Sequence, residues 1–327
     1  MRRRHFAATL LAGMLSALDP TPSTPRDATG PGWIHPVRAM WVWNTSELIA
    51  STSARTSFLE HAKGLGLTDA YLFIRAAEYS SQDDGLTTLL GAMRKIGVRA
   101  WGMEGWRGYF SDGVGPAELY AAVDALVGYN DRHDLKFAGF HSDIEPHDGQ
   151  DAGENRFING IAESQLTQTQ LSSRDEILTE WLGIHEALLA KTTAAGIEYG
   201  AAIASWVDDY YGEPLQATFR GLRKPLLEHL FAVVPQYVVM SYSTSPSKVV
   251  NVVQGELRSA SGARRVMFGL ETHAGPGANI SYADTPGRNK RSQVLSDLKT
   301  IEGHLAAYPS YLGWSIHDWE GWLQLPD

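Results

Sequence analysis

Not one of the 327 residues is a cysteine. That absence excludes a disulfide framework and a lipid anchor on an N-terminal cysteine, so an exported form of this chain has to rest on its apolar core alone. Beyond the N-terminus no run is long and apolar enough to span a bilayer, which excludes membrane insertion. Positive charge is also short: 28 Lys and Arg face 37 Asp and Glu, for a formal net charge of −9. The balance is more acidic still without the first twenty residues, where Arg2, Arg3 and Arg4 oppose only Asp19. Such a chain is a poor match for a phosphate backbone, and nucleic acid is not expected as a partner. There is no glycine-rich phosphate cradle with its lysine, and no lysine in the run YVVMSY where Schiff-base chemistry would need one. A HExxH pair is missing as well, and the first strand-like run carries Trp41-Val42-Trp43 instead of a His-x-His. No cofactor or metal is expected.

What is present begins with MRRRHFAATLLAGMLSALDP, a basic start followed by an apolar stretch of signal-peptide length from Phe6 to Leu18. Residues 1–20 therefore read as an export signal, and Arg3-Arg4-His5-Phe6 is similar to a twin-arginine start. A Pro-, Thr- and Gly-rich linker is expected over 21–36, and a single folded domain over 37–327 in a secreted or periplasmic protein, taken as a monomer.

Eight strand-like runs recur through that domain: 38–44, 69–75, 98–104, 137–145, 198–206, 237–242, 265–271 and 312–319. Helical spacing lies between them, as in Leu86, Leu89, Leu90, Met93 and Ile96, or Val294, Leu298, Ile301 and Leu305. Ser173 to Glu176 has the form of a capping box, and Gly97, Gly196 and Gly262 stand where helices should end. Alternating βα units numbering eight predict a (β/α)8 barrel of the TIM type. Only GWLQLPD follows the last run, so the eighth helix is expected to be incomplete. The long polar stretch after the fourth run is expected to drape over the barrel mouth.

Barrel chemistry sits where strands end, and two carboxylates close the fourth and seventh runs: Glu145 in FAGFHSDIEP and Glu271 in RRVMFGLETH. A period of two places His141, Asp143 and Glu145 on one inward face. Adjacent inward acids cannot both ionise cheaply, so Asp143 is expected to keep Glu145 protonated as a proton donor. Glu271, followed by a loop and held ionised by Arg75, is expected to be the nucleophile.

The motif Asp143-Ile144-Glu145 resembles the Asp-x-Glu end of the family 18 chitinase signature, Met240-Ser241-Tyr242 resembles that family's sixth-strand Met-x-Tyr, and Trp314 resembles its eighth-strand Trp. By this resemblance Glu145 is the acid, Asp143 orients a substrate acetamido group and Tyr242 assists. His141, Ala138 and Ser243 stand where that signature has aspartates. The layout is also similar to clan A retaining glycosidases, whose acid/base, nucleophile, arginine and tyrosine positions are filled by Glu145, Glu271, Arg75 and Tyr242; Ile144 replaces the usual asparagine.

Aromatic side chains crowd the strand ends, and sugar rings stack on such surfaces while their hydroxyls seek polar partners. Trp43, Trp106, Trp206, Trp314, Trp319, Asp208, His141, His273 and His317, with Arg75 and Tyr242, are the expected contacts to a poly- or oligosaccharide. The expectation is a secreted retaining glycoside hydrolase. Two alternatives stay open: a carbohydrate-binding barrel without catalysis, and a metal-dependent hydrolase or deacetylase built on His141, His147, His273, His317 and Asp318.

Overall fold

The structure is a computed structural model that describes residues 36–105, 109–110, 115–147, 156–260 and 265–327. The export signal, the linker, Trp106 and Gly262 lie outside the described residues.

Eight parallel strands close into a barrel: β1 (Val37–Val42), β2 (Asp69–Phe73), β3 (Arg99–Gly105), β4 (Gly139–Asp143), β5 (Glu198–Ala204), β8 (Gln236–Met240), β9 (Val266–Glu271) and β10 (Tyr311–His317). Closure is made by β1 against β10, with Val37 opposite Gly313 and Met40 opposite Ile316. An antiparallel hairpin that the sequence patterns did not suggest, β6 (Gln216–Phe219) and β7 (Leu222–Pro225), stands outside the barrel. The helices are α1 (Thr45–Ala50), α2 (Thr52–Leu65), α3 (Glu78–Ser81), α4 (Asp83–Lys95), α5 (Ala117–Arg132), α6 (Gln168–Ala194), α7 (Leu226–Val233), α8 (Pro246–Ser259), α9 (Arg291–Leu305) and α10 (Trp319–Gln324). The chain is thus a (β/α)8 barrel whose eighth helix is cut to six residues. No helix among the described residues is long and apolar enough to cross a membrane.

The period of two along each strand divides the core in two. Met40, Leu72, Phe140, Val239, Phe268 and Ile316 pack outward against the helices, while Ala39, Trp41, Tyr71, Trp101, Met103, Ala202, Val238 and Met267 fill the lumen. Large rings in so narrow a lumen need small neighbours. Gly139 supplies one, because a Cβ there would lie 2.5 Å from the Trp101 ring.

At the N-terminal ends of the strands a buried Asp69 accepts from Trp101 Nε1 at 2.6 Å and pairs with Arg99 at 2.7 Å. This charge cluster is at the N-terminal end of the barrel, opposite the mouth formed by the C-terminal ends of the strands.

α6 starts six residues before the expected box. Thr167 accepts from the Gln170 N–H and the Gln170 side chain accepts from the Thr167 N–H, so Thr167-x-x-Gln170 forms the capping box, and Ser173 donates to the Arg156 carbonyl inside the helix instead. Buried Arg174 then donates to the carbonyls of Phe157, Ile158 and Ile161 and ties the described part of the preceding loop to α6.

Candidate active site

β4 delivers its acids as alternation requires. His141 faces the lumen, stacked on Tyr71 with ring centroids 3.9 Å apart, and burial pushes its imidazole down to about 3. It is neutral at any ordinary pH. Asp143 ends the strand one level higher, beside Gly105 of β3: a Cβ on Gly105 would lie 2.8 Å from the Asp143 Cβ and 3.1 Å from the Trp43 ring. Only glycine lets the indole and the aspartate approach so closely. Glu145 follows two residues on, partly exposed, with Oε2 3.1 Å from His147 Nε2. His147 in turn meets Trp206 edge-on at 4.7 Å, and Trp206 packs on Tyr210 at 5.2 Å, so an aromatic wall rises beside the acid.

Across the mouth Glu271 is 3 % exposed and fully engaged: Oε2 accepts from His317 Nδ1 at 2.8 Å and Oε1 accepts from the His273 backbone N–H at 2.6 Å. The other nitrogen of His317, Nε2, lies 2.8 Å from Trp43 Nε1. Burial disfavours the imidazolium of His317, but the hydrogen bond and charge of Glu271, with Asp318 and Asp143 behind them, outweigh burial and push the ring up to about 9. The indole makes the opposite demand. A tryptophan N–H can only donate, so its bond to Nε2 requires that nitrogen to be bare and the ring to be neutral. The contacts therefore describe neutral His317, proton on Nδ1, and the indole bond draws the ring below the value that Glu271 alone would set.

Tyr242, just past β8, completes the rim. Burial raises its hydroxyl well above the usual range, and the charges of Glu271, Asp143 and Glu145 raise it further. Its ring lies 5.6 Å from that of His317. The acids at the ends of the fourth and seventh barrel strands thus act electrostatically on one phenol at the same mouth.

Other expected contacts lie elsewhere. Arg75 is exposed, with its guanidinium over the Phe73 ring at 5.8 Å, and no contact joins it to Glu271; β1 and β10 stand between β2 and β9. Trp314 is one residue out of phase with Ser315 and His317: it points to the helix side, where it is 4 % exposed beneath Arg38. Trp319 starts α10 and packs edge-on against Phe58 of α2 at 5.2 Å, also away from the mouth. Asp208 turns toward α8, its carboxylate packed on the backbone of Gly255. His273 pairs with Asp318 at 3.3 Å, and Asp318 caps α10 by accepting from the Gly321 N–H. Among the described residues no three His, Asp or Glu side chains are grouped to hold a metal ion.

The sequence reading passed over Glu104 of β3. It is 7 % exposed, and burial pushes its carboxyl up to about 7 against an opposing hydrogen bond from Tyr109. The signal was available, an acid near the end of the third strand, but its phase is opposite to that of Met103 and Gly105, so it sits behind the barrel wall. The Trp43–His317 bond, between residues 274 positions apart, had no sequence signal.

No family model matches the chain, and no curated protein resembles it in sequence. Solved structures do resemble it in fold. An endo-β-N-acetylglucosaminidase from Cordyceps militaris aligns with a TM-score of 0.50 at 17% identity, covering 86% of this chain and 81% of its own. A GH18 chitinase from Pseudoalteromonas aurantia gives 0.52 at 10% identity, covering 86% and 94%, and the spore cortex-lytic enzyme SleL of Bacillus megaterium gives 0.51 at 13%, covering 88% and 72%. At these identities the likeness is one of fold.

Proposed function

We propose that this chain hydrolyses a glycosidic bond, with Glu145 as the proton donor to the leaving oxygen and, in the second step, the base toward water. The observation that carries this reading is that Asp143 and Glu145, at and just past the end of β4, and Glu271, at the end of β9, all lie at the C-terminal mouth of the closed barrel, where such folds do their chemistry. The aromatic wall of His147, Trp206 and Tyr210 beside Glu145 offers apolar surface of the kind that sugar faces take. Export by the N-terminal signal would place the activity outside the cytoplasm.

Either of two groups can meet the positive charge that grows at the anomeric carbon. Glu271 is buried with both oxygens engaged, which suits it poorly to covalent attack. Asp143 faces the lumen two residues before Glu145, placed to align a substrate amide as internal nucleophile while Tyr242 supports it. We therefore favour retention through the substrate's own acetamido group over a covalent bond to Glu271. The names of the fold neighbours direct the first trials to polymers of N-acetylglucosamine and to N-glycans.

Glu145→Gln removes the proton without changing side-chain volume, so kcat should fall by about 10²- to 10⁴-fold with the fold and glycan binding kept. A near wild-type rate would overturn the assignment, and binding without turnover in the parent protein would mark a carbohydrate-binding barrel. De-N-acetylated substrate should not turn over. Equal rates on acetylated and de-acetylated glycans would return the nucleophile's role to Glu271.

A further inference from the structure

We infer that Glu271 and His317 are positioning residues, joined in a carboxylate–imidazole–indole relay that fixes Trp43 as the wall of the sugar site facing Asp143. The inference rests on the proposed glycosidase reading for the sugar, but the relay itself stands on contacts of this chain.

The relay runs inward from the buried end. Glu271 is anchored on one side by the His273 N–H and on the other accepts from His317 Nδ1, so the imidazole can neither turn nor choose another tautomer. That leaves Nε2 bare as an acceptor for the Trp43 indole N–H, at 2.8 Å. The His317 ring lies edge-on to Trp43 at 5.9 Å and edge-on to Trp41 at 5.5 Å, packed from both sides. Trp43 meets Phe73 on another side at 5.6 Å. Gly105 opens the remaining side, where the indole and Asp143 share the space a Cβ would occupy. A half-buried indole held at its nitrogen, with its benzene edge beside the acid that would align the substrate, is a rigid apolar surface placed before the substrate arrives. Pre-placed rigidity of this kind lowers the ordering cost of binding. A carboxylate committed to this task is not free to attack carbon, which accounts for the burial of Glu271 without assigning it a covalent step.

The test combines a spectroscopic readout with kinetics. In ¹⁵N-labelled protein the Trp43 indole N–H resonance is identified by its loss in Trp43→Phe. It should move in His317→Phe, move less in Glu271→Gln, and return toward the parent position in His317→Gln, whose carbonyl restores an acceptor. On a glycan that the parent turns over, Trp43→Phe, His317→Phe and Glu271→Gln should each raise KM by about 3- to 10-fold, the scale of one aromatic contact, with a smaller effect on kcat. The double variant His317→Phe with Glu271→Gln should cost no more than the worse single. An indole resonance unmoved by His317→Phe overturns the relay whether or not any glycan is hydrolysed. A loss in kcat of about 10⁴-fold or more in Glu271→Gln, rescued by azide with inversion of the product anomer, overturns the positioning role and makes Glu271 the nucleophile. Absence of turnover in the parent, with the resonance moving as expected, removes the glycosidase reading and leaves the relay standing.

Discussion

Glu104 shows how one residue's phase on a strand sets its chemistry. One step out of register with Met103 and Gly105, it is carried behind the barrel wall, where burial raises its carboxyl from 4.5 to about 7. Its folded pKa lies above its unfolded one, so the folded state holds the proton longer and stability falls as pH rises from about 4.5 to 7. Glu104→Gln cannot lose that proton. Relative to the parent it should gain about 2–3 kcal/mol between those pH values, measured by denaturant unfolding at each pH; parallel curves for the two proteins would show the carboxyl to be solvated. Much at this scale was legible beforehand: alternation alone put His141 and Asp143 on the inward face. The same rule, applied across β10, separates Trp314 from His317, and only the strand's true phase in the closed sheet decided which of them faced the lumen.

Among the elements, α8 carries the least expected burden. Its buried face of Val249, Val250, Val253 and Leu257 also takes in Glu256, which is 0% exposed with neither carboxylate oxygen partnered. Burial first, and then the charge of Asp208, raise its carboxyl well above the usual range. A buried polar group without a partner costs about 1–3 kcal/mol, so Glu256→Leu should raise stability at pH 7 by that order, read from the denaturation midpoint. A loss of stability would mean that the carboxyl is satisfied. The helix layer also decides where α6 starts, since Ser173-x-x-Glu176 and Thr167-x-x-Gln170 are equally good boxes in isolation. The buried Arg174, tied to three carbonyls of the preceding loop, is compatible only with the earlier start.

For the molecule as a whole, four of the buried groups set opposing slopes. His141 and His185 are held down to about 3 by burial, so from pH 6.5 downward the unfolded chain takes up two protons that the folded one refuses, and stability falls with falling pH. Glu104 and Glu256 slope the other way above pH 4.5. Between about pH 4.5 and 6.5 the raised carboxyls oppose the histidines. Below 4.5 the histidines alone of these four act, at roughly 2.7 kcal/mol per pH unit, a large part of the 5–15 kcal/mol that holds a typical domain. Stability should therefore change little across that interval and fall steeply below it. A smooth maximum at neutral pH would show that these four groups do not govern it.

The sequence by itself determined the eight strands, the (β/α)8 barrel type, the short last helix, and the two carboxylates at or just past the ends of the fourth and seventh barrel strands. Those follow from local periodicity and from strand ends, which each segment carries in its own residues. Tertiary structure alone decided what the second carboxylate touches. Arg75 was the expected partner, yet Glu271 reaches His317 on the adjacent strand, and through it an indole from the far end of the chain. Barrel closure between β1 and β10 brings those residues together, and a contact that exists only when the ring is closed leaves no period or spacing in the sequence.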